Sequence, residues 1–176
     1  AISLNGNAGA VTNGDGIEIS GASTLSATGD GDIYFVGTGS TNDNGISVYG
    51  ASSILATAGT ITFDGYSGTR GLSFGDSFIG YKAGSAVTSS SSNITLSADL
   101  MGFDEFALQK PHFQSSGDFL AQPKDTGISI GLAGGAGTLQ LPANLFSSYL
   151  TDGFSLLTVG NTTAGDITVG STALTY

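Results

Sequence analysis

The residues of this chain best equipped for chemistry are carboxylates and amides gathered in short polar stretches: "NGDGIE" (13–18), "GDGDIY" (29–34) and "TNDNG" (41–45). Two chemistries suit them. Hard oxygen donors at close spacing can hold calcium, and Asp15, Asp30, Asp32 and Asp43 are the candidate ligands. Carboxylates paired across roughly 5–9.5 Å can cleave glycosidic bonds. An acidic calcium cluster beside a basic proton acceptor can instead drive polysaccharide elimination. Asp30 and Asp32 alternate onto one face, while Asp64 and Asp76 are scattered and Arg70 is the sole arginine. No stretch has EF-hand spacing or the calcium-loaded GGxGxDxUx nonapeptide. Asx turns at chain corners account for the same residues. No catalytic residue is assigned, and the chain is read as non-enzymatic. Calcium is the only cofactor for which ligands can be nominated.

The other candidates are weaker. His112, beside Pro111, has no second imidazole or thiol to build a zinc site with, and is read as a surface-loop residue. "GLAGGAGT" (131–138) is glycine-rich but has no lysine and no helix directly after it, so it is not a phosphate loop. A flat threonine face would need TxT in successive turns, and only Thr60/Thr62 offers it.

The elements that carry these residues are short strands. Apolar residues alternate with small or polar ones at Ile2/Leu4, Ile17/Ile19, Ile33/Phe35, Ile46/Val48, Ile61/Phe63, Leu72/Phe74, Ile94/Leu96, Ile128/Ile130, Leu139/Leu141 and Ile167/Val169. Each run ends at Gly or Asn, as half-buried strands do. Helical periodicity is nearly absent; "PANLFSSYLTDGF" (142–154) offers one turn, with Pro142 suited to its start and Gly153 to its stop.

The strands repeat. "NGDGIEISGASTLSAT" (13–28) returns 29 residues later as "NDNGISVYGASSILAT" (42–57), with half of the sixteen positions identical. A β-sandwich has no reason to repeat sequence at that interval, whereas a parallel β-helix stacks each coil on the last at ~4.8 Å and sets like on like. The predicted interior ladders are Ile17–Ile46–Leu72, Leu25–Ile54–Val87 and Ile33–Ile61–Ile94, with "GDSFIGYKAG" (75–84) as an inserted loop. Asn13 over Asn42 would form an amide ladder, and Gly16/Gly45 and Gly21/Gly50 would sit at bends demanding positive φ.

The fold expected is thus all-β: a right-handed parallel β-helix of about six coils of ~29 residues with three short strands per coil. The whole chain, 1–176, forms one domain: regular coils over 1–97, an irregular coil with longer loops over 98–127, and terminal coils over 128–176. Within the irregular part, strands are expected at Met101–Phe103, Phe106–Leu108 and Asp118–Ala121.

Composition limits the partners. Fourteen acids against four Lys+Arg give a net charge of −10, which argues against nucleic acid and anionic membrane surfaces. No run of about 18 apolar residues is present to cross a membrane as a helix, and there is no cysteine to form a disulfide. The start, "AISLNGNAGA", carries no Met, basic region or apolar stretch, so the sequence is read as a mature or trimmed piece of something longer.

"GDGDIYFVGTG", "SNITLSADLMGFD" and, above all, "GDFLAQPKDTGISIGLAGGAGTLQLPANLFSSYLTDGFSLLTVGNTTAGDITVG" resemble the filamentous-haemagglutinin-like, giant secreted bacterial adhesins. The resemblance implies a right-handed parallel β-helix in a long exported fibre, extracellular or on the bacterial cell surface. No "NPNG" secretion motif and no RGD are present. The functional expectation is a structural module that self-associates or continues into further β-helix modules, with surface glycans as a further partner class. The alternative is a carbohydrate-binding or polysaccharide-degrading β-helix.

Overall fold

The computed structural model describes residues 1–9, 13–87, 89–103, 110–151 and 153–176. The chain winds as an all-β, parallel solenoid of about four turns. The first turn is β1 (Ile2–Asn7), β2 (Ile17–Ile19) and β3 (Thr24–Ala27). The second is β4 (Ile33–Thr38), β5 (Asn44–Val48) and β6 (Ser52–Ala56). The third is β7 (Thr60–Tyr66), β8 (Arg70–Phe74) and β9 (Ser77–Gly80). The fourth is β10 (Asn93–Ser97), β11 (Met101–Gly102) and β12 (Pro111–Gln114). Every pairing is parallel. Face B is β2-β5-β8-β11, and face C is β3-β6-β9-β12.

Face A runs further, as β1-β4-β7-β10 followed by β13 (Asp118–Gln122) and β16 (Leu156–Val159). The expected six coils are therefore six strands on one face only. Beyond the fourth turn, β14 (Ile130–Leu132), β15 (Leu139–Leu141) and β17 (Ile167–Val169) form their own parallel sheet in the order β15-β14-β17. A parallel return usually takes a dozen or more residues. Here Ile130 pairs with Leu139 across "AGGAG", whose backbone packs so closely that a Cβ on Gly137 would lie 2.2 Å from Gly131 N. The extra strand consumes chain that regular terminal coils would have used. The sequence 142–154 does supply a helical turn, a π-type one at Leu145–Tyr149.

Ladders fill the interior. Ile33, Ile61 and Ile94 stack with Ile2 below and Phe119 above. Ile17, Ile46 and Leu72 stack as expected, with Met101 next. The third ladder departs from expectation: Ile54 pairs with Ile79, not Val87. Ile79 belongs to β9, inside the stretch expected to loop out. The third turn is shorter than 29 residues on faces B and C, and the extra chain lies between β9 and β10, after the strand, so placing the insertion at 75–84 displaced the register. Met101–Gly102 and Asp118–Gln122 are strands as anticipated, whereas Phe106–Leu108 falls outside the described residues.

Phenylalanine rings link the faces along the axis. Phe35 stacks on Phe63 at 4.9 Å, Phe63 meets Phe74 edge-on at 5.2 Å, Phe74 meets Phe113 at 5.3 Å, and Phe113 meets Phe119 at 5.7 Å. All five are closed off from solvent. Each such side chain contributes roughly 1.5–3 kcal/mol by burial, with aromatic geometry adding to it.

Glycine acts in two ways at the corners. Gly21 and Gly50 turn with φ of 69° and 70°, as expected, and Ala22 and Ala51 follow them into the same left-handed region. Ala22 N–H donates to Gly50 O at 2.6 Å, a bond to the next coil that offsets the strain. Gly16 and Gly45 do not adopt positive φ; their role is close approach. A Cβ on Gly45 would sit 2.6 Å from Gly71 O and 2.6 Å from Tyr66 N, and one on Gly37 would sit 2.2 Å from Gly45 O. Gly6, Gly37 and Gly65, in register on face A, meet Gly16, Gly45 and Gly71 leading into face B. Faces A and B thus touch backbone to backbone, and that contact sets the residues of the next section.

Candidate functional site

Asp15 lies just ahead of β2, and Asp43 just ahead of β5, one coil on. The glycine corner brings both against the start of β5. Asn44 N–H donates to Asp15 Oδ1 at 2.9 Å and to Asp43 Oδ1 at 3.2 Å. The Asn44 side-chain Nδ2 lies 3.3 Å from Asp15 Oδ1, 3.5 Å from Asp43 Oδ1 and 3.1 Å from Ser47 Oγ. Asn44 is 8% exposed and Ser47 3%. Asn44 Oδ1 is buried and has no hydrogen-bond partner. Burial, then the hydrogen bond to the Asp43 carboxyl, push the Asp15 carboxyl above its ordinary value; Ser47 and Asn44 pull the other way.

Of the four nominated calcium ligands, the structure assembles two. Asp30 and Asp32 lie where face C turns into face A, a different corner. There Asp32 Oδ1 accepts Thr60 N–H at 2.8 Å, 28 residues on. The same device recurs. Asn93 Oδ1 accepts Asp118 N–H at 2.9 Å, and Asp99 Oδ1 accepts the N–H groups of Lys124 and Asp125, both at 2.9 Å. In each case a side chain of one coil satisfies the corner N–H of the next, where the ladder has ended and backbone donors are left over. Turn residues was the right description, but the turns they serve are one coil away.

Asn13 and Asn42, expected to form an amide ladder, are both exposed, and the buried amide at this corner is Asn44, which Asp15 meets one coil earlier. Asn44 and Ser47 escaped nomination, although the repeat offset that pairs Asn13 with Asn42 pairs Asp15 with Asn44. Glu18 points outward as anticipated and accepts a hydrogen bond from Tyr49 OH. That bond, then burial, hold the phenol above its ordinary value.

His112 lies in β12, half-buried rather than in a loop. Its ring stacks on Phe78 at 5.1 Å, and Lys82 Nζ sits 4.2 Å over the same Phe78 ring. Asp64 pairs with Lys124 at 2.6 Å on the outer side of face A. Shallow depressions mark the surface of the described residues, and two of them are the roomiest. One, about 240 Å³, is lined by Asn93, Thr95, Asp118, Leu120, Leu156 and Thr158 with the edges of Ile94 and Phe119. The other, about 230 Å³, lies beside Tyr81, Gln114 and a row of serines. Among the described residues, neither is lined by two carboxylates. Among the described residues, no three His, Cys, Asp or Glu side chains group as for a metal ion. No family model, curated protein or solved structure matches the chain.

Proposed function

We propose that this chain is a non-catalytic structural module of a secreted or cell-surface bacterial adhesin or extracellular filament, stacking or continuing end to end through its strand edges. The winding is taken as right-handed, the sense that right-twisted strands favour in parallel crossovers. The observation that carries the reading is the pair of uncovered edges on a stack held by repeating ladders. At one end β1, β2 and β3 each have a strand on one side only. At the other, β16 and β17 do likewise, leaving Leu156 55%, Ile167 50% and Val169 58% exposed. Open, apolar strand edges pair with further strands. The resemblance to filamentous-haemagglutinin-like adhesins supports the same reading.

Electron microscopy and sedimentation of the purified chain over a range of concentrations test it. Rods that lengthen with concentration, and that Ile167→Lys with Val169→Lys shortens, are expected. Single particles of one size, even at high concentration, would overturn end-to-end stacking.

A further inference from the structure

We propose that the partner at the open edges is a second copy of this chain, docked head to tail in one fixed register. Its β1 lies parallel on β16 with Ile2 against Leu157, and its β2 lies on β17 with Ile17 against Ile167. The inference rests on the end-to-end reading above and adds which strands meet and how they align. Three observations carry it.

The first is the direction of the free backbone groups. Ile2 N–H donates to Asp32 O and Ala8 N–H to Thr38 O, so the even-numbered residues of β1 face β4. Backbone groups alternate sides along a strand, which leaves those of Ser3 and Asn5 on the open edge and in want of partners. At the other end Gly160 N–H donates to Ala121 O, so Leu156 and Thr158 face β13, and the groups of Leu157 and Val159 are open. With Ile2 set against Leu157, Ser3 N–H reaches Leu157 O and Val159 N–H reaches Ser3 O. That repeats the pattern by which β1 meets β4. A slip of one residue would oppose these groups to ones already bonded and turn every side chain to the wrong face.

The second is the interior. Ile2 and Leu4 at one end, and Leu157 and Val159 at the other, are only half-buried. The residues between them in the same rows, from Ile33 and Phe35 to Phe119 and Ala121, are closed off from solvent. Docking lays Ile2 on Leu157 and Leu4 on Val159 and carries both rows across the junction. The third is that two edges are presented together. β17 pairs with β14 as β16 pairs with β13, and it follows β16 by a corner of the same kind. Leu157 to Ile167 spans ten residues, Phe119 to Ile130 eleven. Ile167 and Val169 thus await Ile17 and Ile19, and a two-residue slip on face A would carry β2 away from β17. Open edges are ordinarily blunted by lysine, proline or a bulge. β1, β16 and β17 contain no charged residue and no proline. A head-to-tail contact of this kind does not close on itself, so copies add without limit.

The test uses the whole chain, which has no cysteine, so introduced thiols can pair only with each other. Ser3 and Thr158 are both exposed and lie at opposite ends of the stack. In Ser3→Cys, Thr158→Cys the two thiol-bearing residues sit about 4.8 Å apart across the junction, within the span of a disulfide. Mild oxidation in about 0.15 M salt screens the repulsion between chains of net charge −10. It should yield a ladder of covalent dimers, trimers and longer species on a denaturing gel. Glu18→Cys, Thr168→Cys should do the same across β2 and β17. In Asn5→Cys, Thr158→Cys the residues share a face but sit about 8 Å apart, beyond disulfide reach, and no ladder should form. Rods that lengthen with concentration, yet give no ladder with Ser3→Cys, Thr158→Cys, would overturn the register and leave stacking standing. Equal ladders from the Ser3 and Asn5 pairs would overturn it too. Absence of both rods and ladders would overturn the register and the stacking together.

Discussion

Replacing Gly37 by alanine probes the corner on which both the stack and the Asp15–Asn44 cluster depend. The added methyl carbon would lie 2.2 Å from Gly45 O, 2.5 Å from Ile46 Cγ1 and 2.8 Å from Gly45 C. Reaching an ordinary contact of 3.4 Å requires faces A and B to separate by about 1.2 Å at this point. Two of the three obstructing atoms are backbone, which no rotamer change can move. Gly37 is also held in register between Gly6 and Gly65, so local relief disturbs two more coils. Overpacking a core costs about 1–3 kcal/mol where side chains can adjust. Here we expect at least about 3 kcal/mol, a large share of the roughly 5–15 kcal/mol that stabilises a domain. With a urea m-value of about 2 kcal/mol/M, the midpoint should fall by about 1.5 M. Gly31→Ala is the control: its methyl would meet Ala27 Cβ at 3.5 Å and Thr28 O at 4.0 Å. That variant should be neutral or gain up to about 1 kcal/mol from the less flexible unfolded chain. A Gly37→Ala midpoint within 0.5 M of wild type, a loss of less than about 1 kcal/mol, would refute the account of the glycine corner.

Three further outcomes follow from the same contacts. Phe63→Ala, which removes a fully buried ring touching Phe35 and Phe74, should cost about 3–5 kcal/mol in urea unfolding, well above Phe78→Ala on the outer side of face C. Asp32→Ala should lose about 1 kcal/mol by stranding Thr60 N–H, while Asp32→Asn, whose amide oxygen still accepts, should lose little; equal losses would mean that charge rather than the hydrogen bond matters. Asp15 is held above its unfolded value of 3.8, so the folded protein binds this proton more tightly than the unfolded chain does. Its contribution to stability therefore grows as pH falls from neutral through the folded pKa, and levels off below the unfolded value. The difference in stability between wild type and Asp15→Asn, measured across that window by urea titration, should track this rise. A difference that stays constant with pH would refute it.

How much was legible in the sequence depended on whether a feature follows from a fixed offset between coils. The ladders Ile17–Ile46–Leu72 and Ile33–Ile61–Ile94 could be read directly, because parallel stacking turns sequence period into contact. Val87 was misplaced on the third ladder because turn length varies: Leu25 to Ile54 spans 29 residues and Ile54 to Ile79 only 25. The extra residues lie after the third strand of face C, not ahead of it as the assignment of 75–84 to a loop required. The six expected coils became four because "GLAGGAGTLQL" makes an unusually short parallel return, and glycine content does not reveal which strand the chain will join.

The candidate site divides in the same way. Asp15 and Asp43 could be nominated from composition, and the repeat offset contained the pairing of Asp15 with Asn44. That Asp32 serves Thr60 instead depends on where face C turns into face A. The burial of Asn44 depends on the glycine contact between faces A and B. By itself, the sequence determined the period, the inward-facing positions and the residues available at each corner, because these follow from alternation and repetition along one chain. Only the tertiary structure decided which corners converge, since that rests on close backbone approach between strands whose spacing no local pattern encodes.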